Sequence, residues 1–232
     1  QHGTAIVLGA ALINAVKVVG KSLGAVKVVI NGAGSAGIAI AEFLLGLGVK
    51  NLIVCDRFGT IVKGRAGMTS AQENLVSRTN PDSIDGTLAD AMRGADVMIG
   101  VSAAGVVSEE MVRSMNKNAI VFPMANPVPE IEPDKAKAAG AAVVGTGRSD
   151  YDNQINNVLA FPGVFRGALD ARATEINEPM KYAAARAIAS LVGDDELCAS
   201  YVIPRAFDLR VGTAVAEAVK KAAIETGVAR LK

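Results

Sequence analysis

Apolar residues recur along the chain at two spacings, which predicts that strands and helices alternate. Runs such as Lys27–Ile30 are short, β-branched and apolar on both faces, as central strands of a parallel sheet are. The predicted strands are Lys27–Ile30, Asn51–Cys55, Asp96–Val101, Ala119–Phe122 and Ala141–Val144. The predicted helices are Thr4–Val19, Ser35–Leu47, Ile84–Met92, Ser108–Met115 with Ser108 as cap, and one that begins at Glu132 or Asp134.

This alternation predicts an α/β fold with a doubly wound, mostly parallel sheet. After Gly147 the chain is polar and rich in turn residues, and beyond Val164 it becomes Ala-rich with helical periodicity. Additional C-terminal helices are predicted at Glu178–Val192, Asp194–Ala199 and Val211–Thr226. No linker interrupts the pattern, so we expect one domain over residues 1–232 with a helical tail from about residue 165.

The composition narrows the possible functions. Half of the 232 residues are apolar, 20% are charged and the net charge is +1, so no strong field attracts nucleic acid or an anionic membrane. The apolar stretch Gly3–Val19 contains Asn14 and Lys17, and we interpret it as a buried helix rather than a signal peptide or membrane span. Cys55 and Cys198 form no disulfide or zinc pattern, which favours a reduced, cytoplasmic compartment.

A glycine motif follows the first predicted strand. Gly32, Gly34 and Gly37 fit G-x-G-x-x-G between a strand and a helix, the context of a Rossmann-like dinucleotide site. The first glycine would permit the turn, the second would admit the pyrophosphate, and the third would let helix and strand pack closely. Taken alone, the motif also fits a loop in which glycine only eases a turn.

An acid ends the second strand. Asp56 lies nineteen residues after Gly37, near the spacing at which a carboxylate binds the adenosine ribose and repels a 2′-phosphate. This favours NAD. Arg57 and Lys63 keep NADP possible, since a cation beside the acid binds such a phosphate. An alternative is that Asp56 only forms a turn with Gly59.

Polar residues follow the later strands at the same predicted edge of the sheet. Ser102 belongs to VSAAG, and Asn126 belongs to ANP, where it either donates its amide to a ligand or forms a turn before Pro127. Asn156 and Asn157 either cap a helix or complete an amide-lined pocket with Asn126.

Five segments together resemble malic enzyme of the bacterial type, in order along nearly the whole chain. They are QHGTAIV, NGAGSAG, CDRFG, ANPVPE and NNVLAFPGVFRGAL. Malic enzymes oxidise malate with NAD(P)⁺ and decarboxylate the product to pyruvate with Mg²⁺ or Mn²⁺. The resemblance therefore implies malate and pyruvate as substrate and product, and homo-oligomers are common in the family.

The resemblance also implies roles for individual residues. Malate would be bound by Asn126 and Asn157. The cofactor would be bound by Thr4, Gly32, Gly34, Ser35, Ala36, Gly37, Asp56, Arg57, Ser102, Ala103 and Asn156. In the family, the catalytic Tyr and Lys and the metal ligands precede the QHGTA segment, in an N-terminal catalytic domain. Because the chain opens on Gln1, we expect a fragment without catalytic or metal-binding residues, inactive by itself.

Two features offer competing interpretations. His2, the single histidine, could serve as a base, although it lies beside the missing ligands. The acidic triplet Asp194–Glu196 could bind a metal, but we interpret it as complementing the dipole of a helix start. The alternatives to a malic enzyme domain are another nicotinamide-dependent dehydrogenase and a stand-alone nucleotide-binding or sensing module.

Overall fold

A six-stranded sheet forms the centre of the computed structural model, which describes residues 2–230. Gln1, the first residue of QHGTAIV, and residues 231–232 lie outside the described part. The strands are β1 (Lys27–Asn31), β2 (Asn51–Asp56), β3 (Gly59–Thr60), β4 (Val97–Gly100), β5 (Ala119–Pro123) and β6 (Ala141–Val144). Their order is β3-β2-β1-β4-β5-β6, and only β3 runs antiparallel to its neighbour. The predicted doubly wound, mostly parallel sheet is thus confirmed.

Helices cover both faces of this sheet. They are α1 (His2–Val18), α2 (Ser35–Leu47), α3 (Ser70–Val76), α4 (Leu88–Met92), α5 (Glu109–Arg113), α6 (Pro133–Ala138), α7 (Phe161–Asp170), α8 (Glu178–Ser190) and α9 (Leu209–Glu225), with a short 3₁₀ helix at Asn157–Leu159. Ser108 accepts a hydrogen bond from the Met111 N–H group, which confirms it as the cap of α5. Helix α2 ends at Leu47 as predicted, because the next residue, Gly48, adopts a left-handed conformation.

Alternate residues of each strand enter two separate hydrophobic cores. On β1, Val28 and Ile30 pack into the core beneath α1, α2 and α8, whereas Val29 packs into the core beneath α4, α5 and α6. Both faces are therefore buried, which explains why the strand sequences are continuously apolar.

Helix α1 is buried on almost every side, between α2 and α8. The Asn14 amide lies inside this packing and donates hydrogen bonds to the carbonyl groups of Ala189 (2.9 Å) and Val202 (3.0 Å). The prediction of a buried helix is correct. In the described part of the chain, no helix is long and apolar enough to cross a membrane.

The structure corrects two predicted helices. The helix predicted at Ile84–Met92 begins only at Leu88, because Thr87 and Asp90 form a capping box after the loop at Gly86. The helix predicted at Asp194–Ala199 is wrong: this segment consists of turns, and Glu196 accepts a hydrogen bond from the Gly193 N–H group instead of starting a helix. Its sequence, DDELCA, lacks the repeated apolar positions that hold a helix against a core.

Candidate functional site

Two neighbouring clefts open along the carboxyl edge of the parallel strands. The first cleft, of about 720 Å³, crosses the ends of β2, β1 and β4. It is lined by Asn31, Gly32, Ala33, Gly34, Asp56, Arg57, Phe58, Gly59, Gln72, Thr87, Leu88, Val101, Ser102, Ala103 and Val106. The second cleft, of about 530 Å³, is lined by Thr4, Ala36, Val101, Ser102, Met124, Ala125, Asn126, Gly147, Arg148, Ile155, Asn156 and Asn157. Val101 and Ser102 line both clefts and form the wall between them.

The three motif glycines adopt three different environments. Gly32 has a positive φ of 128°, and a Cβ there would lie 2.5 Å from the Val101 carbonyl oxygen. A Cβ on the buried Gly37 would overlap the carbonyl oxygen of Gly32. Gly34 differs, because a Cβ there would meet no atom within 4 Å. The loop therefore has the tight turn and the close packing that the motif predicts, and it leaves open space at Gly34.

Helix α2 begins directly at this open space. Gly34 is its N-cap residue and supplies no side-chain hydrogen bond, so the first N–H groups of the helix are uncapped. These groups and the helix dipole favour anionic groups such as phosphates. Ser35 is exposed on the first turn, outside the lining of the two clefts, while Ala36 lines the second cleft.

Asp56 lies at the far end of the first cleft and forms an ion pair with Arg65. Its Oδ1 accepts hydrogen bonds from Arg65 Nη1 (3.0 Å) and from the Phe58 N–H group (2.8 Å), and its Oδ2 contacts Arg65 Nη2. Burial alone would raise the pKa of Asp56, but these hydrogen bonds outweigh it and hold the pKa below its usual value. Both interpretations of this residue therefore remain, since the carboxylate forms a local turn and also faces the cleft.

Arg57 is exposed at the mouth of the same cleft. Its guanidinium lies 4.6 Å from the centre of the Phe58 ring, in a cation–π arrangement. The first cleft thus combines uncapped N–H donors and open space near Gly34 with a carboxylate acceptor at Asp56. This set of groups suits a ligand that carries both phosphates and hydroxyl groups.

The predicted amide residues meet in the second cleft, although they come from distant parts of the sequence. Asn157 Oδ1 accepts a hydrogen bond from the Thr4 hydroxyl (3.0 Å). Asn156 Oδ1 accepts one from the Val158 N–H group (3.0 Å) and so caps the 3₁₀ helix. Asn126 is exposed and precedes Pro127 in a cis peptide bond. The pair at 156–157 is therefore both a helix cap and part of an amide-lined cleft.

Arg148 adds a cation to the second cleft. Its guanidinium donates two hydrogen bonds to Asp150 (2.9 and 2.6 Å) and a longer one to Glu132 (3.4 Å). The hydrogen bonds to Asp150 raise the pKa of Arg148 above its ordinary value. Sequence reasoning missed this residue because it lies in a turn-rich loop whose path cannot be read from local pattern.

Sequence reasoning also missed two residues that support the loops of the clefts. Gln72 Nε2 donates to the carbonyl group of Ala33 (3.0 Å) and so supports the glycine loop. Glu130 is completely buried and accepts hydrogen bonds from the loops after β4 and β5. In the sequence, Glu130 was marked only by its place in ANPVPE, one of the five segments that resemble malic enzyme.

The remaining candidates lie apart from the clefts. His2 Nδ1 is 3.3 Å from Lys181 Nζ, and Lys181 in turn pairs with Glu178 at 2.7 Å. Within residues 2–230, His, Cys, Asp and Glu side chains form no group of three that could hold a metal ion. The ion that the family resemblance implies thus finds no ligand set in the described part of the chain.

Comparison with known proteins identifies the family. The family model described as "Malic enzyme, NAD binding domain" matches residues 1–224. The chain is 60% identical over 232 residues to the bifunctional malic/malolactic enzyme of Bacillus subtilis, with 100% of this chain and 57% of that protein covered. It is 54% identical over 230 residues to the NAD-dependent malic enzyme of Geobacillus stearothermophilus (99% and 48% covered). It is 48% identical over 247 residues to the NADP-dependent malic enzyme of Rhizobium meliloti (99% and 32% covered).

A solved structure agrees with these relatives. The malic enzyme of Pyrococcus horikoshii superimposes with a TM-score of 0.95 at 43% identity, over 100% of this chain and 55% of that one. The chain therefore spans from about a third (32%) to somewhat more than half (57%) of the length of these proteins. The sheet, the glycine loop and these matches together show that the chain belongs to the malic enzyme family, as its NAD-binding domain.

Proposed function

We propose that the first cleft binds a nicotinamide dinucleotide along its whole length. The adenosine ribose lies at Asp56, the pyrophosphate at Gly34 and the start of α2, and the nicotinamide near Ser102 and Ala103. One observation carries this proposal: the carboxylate, the open glycine loop and the loop after β4 line one continuous cleft. That cleft crosses the point between β1 and β4 where the strand order reverses, which is where open α/β sheets bind ligands. The bound nicotinamide supplies the hydride acceptor.

The groups around Asp56 favour NAD over NADP. A carboxylate at the ribose accepts hydrogen bonds from two hydroxyl groups and repels a 2′-phosphate. Arg65 is committed to both carboxylate oxygens, which leaves Arg57 as the exposed cation at the cleft mouth that would receive a 2′-phosphate. The relatives include malic enzymes named as NAD-dependent and as NADP-dependent, so their names do not decide the preference of this chain. In competition calorimetry of NAD against NADP, we expect NAD to bind more tightly.

The second cleft is the proposed site for malate. The amides of Asn126 and Asn157 donate hydrogen bonds to a carboxylate or hydroxyl group of the substrate. The Thr4 hydroxyl, bonded to Asn157 Oδ1, holds that side chain with its amide nitrogen free to donate. Asn156 is fixed by its bond to the Val158 N–H group and orients its neighbour. Shared walls at Val101 and Ser102 would bring the substrate next to the nicotinamide.

Turnover needs groups beyond those in these clefts. Hydride leaves malate only as a base takes its hydroxyl proton, and loss of CO₂ is assisted by a divalent cation such as Mg²⁺ or Mn²⁺. We propose that the base, the proton donor and the metal ligands belong to a catalytic domain in the part of the full-length relatives that lies outside the matched region. The matched share of those relatives, 57% or less, supports this division.

Calorimetry and an activity assay of the purified chain test the proposal. We expect NAD to bind, and we expect malate, NAD(P)⁺ and Mn²⁺ to yield no reduced nucleotide. Turnover that His2→Ala abolishes would instead indicate another dehydrogenase with its base inside this chain. Binding of NAD without any response to oxalate or tartronate would indicate a nucleotide-sensing module, since only the malate site gives Asn126 and Asn157 a ligand.

A further inference from the structure

A buried carboxylate connects the two clefts from behind. Glu130 has no exposed surface, and its Oε1 accepts hydrogen bonds from the Ser102 N–H group (2.8 Å) and the Ser102 hydroxyl (3.3 Å). Its Oε2 accepts one from the Ala125 N–H group (3.0 Å). Ser102 lies two residues after the end of β4, and Ala125 lies two residues after the end of β5. A single side chain thus joins the two loops that carry residues of both clefts.

The surroundings of Glu130 are built for this arrangement. Asn31 Nδ2 donates to the Ser102 hydroxyl (2.8 Å), which extends the network to the end of β1. Gly100 leaves the required space, because a Cβ there would overlap the Glu130 carboxyl group. The main chain of Glu130 also takes part, since its carbonyl oxygen accepts from the Val107 N–H group (3.0 Å).

The chemistry of the contacts requires a carboxylate. All three partners donate, and a carboxylate accepts at both oxygens, whereas a glutamine amide accepts at one end and donates at the other. A glutamine would therefore face its NH₂ group toward the N–H of either Ser102 or Ala125. A buried donor without an acceptor carries its full desolvation cost, so one of the two loops would be released.

We propose that Glu130 is a positioning residue that holds Ser102 and Ala103 against the nicotinamide half of the cofactor and fixes Asn126 relative to them. The inference rests on the proposed dinucleotide site. Asp56 lies at the end of β2, two strands away from β4, whose following loop contains Ser102. Loss of the Glu130 carboxylate should therefore weaken recognition of the nicotinamide half and leave the adenosine half unchanged.

The test compares Glu130→Gln with a matched control. Asp96 is the control, because it is also a largely buried carboxylate (8% exposed). It accepts hydrogen bonds from Lys21 (2.7 Å), the Lys27 N–H group (2.8 Å) and Asn116 (3.0 Å). It lies at the opposite end of β4, away from both clefts. NAD and ADP are titrated by calorimetry into the parent chain, Glu130→Gln and Asp96→Asn, and thermal unfolding of each is recorded.

For Glu130→Gln we expect NAD to bind about tenfold more weakly, while ADP, which lacks the nicotinamide, binds within about twofold of the parent. For Asp96→Asn we expect a lower melting temperature with both affinities unchanged. Equal weakening of NAD and ADP in Glu130→Gln, or unchanged NAD affinity, overturns the inference. A parent chain that binds neither nucleotide overturns the proposed function instead.

Amide hydrogen exchange supplies a measurement that does not depend on ligand. Glu130→Gln should speed exchange at the N–H group of Ser102 or Ala125, and Asp96→Asn should leave both protected. Unchanged protection in Glu130→Gln means that the carboxylate does not hold the loops. If Glu130→Gln fails to fold, Glu130→Asp takes its place: it keeps two acceptors but is one methylene too short to reach both loops, and the same shifts are expected.

Discussion

Replacing Asp56 by asparagine tests how the first cleft recognises its ligand. The substitution keeps the shape of the side chain and removes its charge, so one oxygen that now accepts from Arg65 becomes an NH₂ group. The side chains of Asp56 and Arg65 are only 19% and 20% exposed, which places this pair between surface ion pairs and fully buried ones.

The expected magnitude follows from the hydrogen bonds that a ribose would make. A hydrogen bond to a charged group contributes about 1.5–3 kcal/mol, so losing the charged acceptor should raise the dissociation constant of NAD by about 10- to 100-fold. NADP should lose much less, because the repulsion of its 2′-phosphate disappears and the guanidinium of Arg65 is released. The preference for NAD over NADP should therefore fall by about tenfold or more.

Calorimetry of both nucleotides measures this change, with Asp208→Asn as the control. Asp208 forms a comparable pair with Arg210 (3.0 and 2.6 Å) and caps α9, a position at which asparagine serves equally well. The control should leave both affinities unchanged. If the parent binds NAD and Asp56→Asn binds it equally well with the same preference, Asp56 serves only the local turn and the assignment of the ribose site is refuted.

Three further outcomes are expected. Gly37→Ala should lower the free energy of unfolding by about 2–3 kcal/mol, because the added Cβ overlaps the glycine loop. Gly212→Ala in α9 is the control: its Cβ meets no atom within 4 Å, so it should raise the free energy of unfolding by about 0.5–1 kcal/mol. Denaturant titration measures both changes. Burial raises the pKa of the Cys55 thiol to about 12, whereas Cys198 is exposed. A thiol reagent should therefore label only Cys198 in the folded chain and both cysteines after denaturation. Rapid labelling of both cysteines in the folded chain would contradict this. Burial alone would raise the pKa of Asp96, but its hydrogen bonds outweigh burial and lower this pKa below the ordinary value. The Asp96 carboxylate therefore stabilises the fold above about pH 4, and its contribution is lost as the pH falls further. The stability of Asp96→Asn should therefore fall less steeply with acid than that of the parent chain. An identical dependence on pH below about pH 4 would show that the Asp96 carboxylate contributes nothing.

Elements with a strong local pattern were predictable. The parallel strands are buried on both faces, so their sequences are continuous apolar runs, and each predicted strand lies within two residues of the observed one. The turn at Gly32 before α2 and the end of α2 at Gly48 follow from positive φ angles, which favour glycine. The carboxyl edge of the sheet as the place for a ligand follows from topology alone.

Elements held by distant partners were not predictable. Strand β3 exists because Gly59 and Thr60 pair back onto β2 and contact the loop at Gly86. Helix α3 differs, because the capping box of Thr69 and Gln72 at its start is a local signal that our sequence analysis missed. The false helix at Asp194–Ala199 shows the opposite error, since an acidic start is a weak signal without an apolar face to pack. Such segments are decided by contacts that a local window of sequence does not contain.

The amino-acid sequence by itself determined the alternating strands and helices, the glycine loop and the acid at the end of β2, because each depends on backbone sterics or on burial periodicity. Only the tertiary structure decided which polar groups meet. It brought Thr4 within hydrogen-bonding distance of Asn157, turned the carboxylate of Glu130 inward to two loops at once, and committed Arg65 to Asp56. These pairings depend on how the loops at the ends of the strands fold against one another. The spacing of residues along the chain does not specify which of their side chains come into contact.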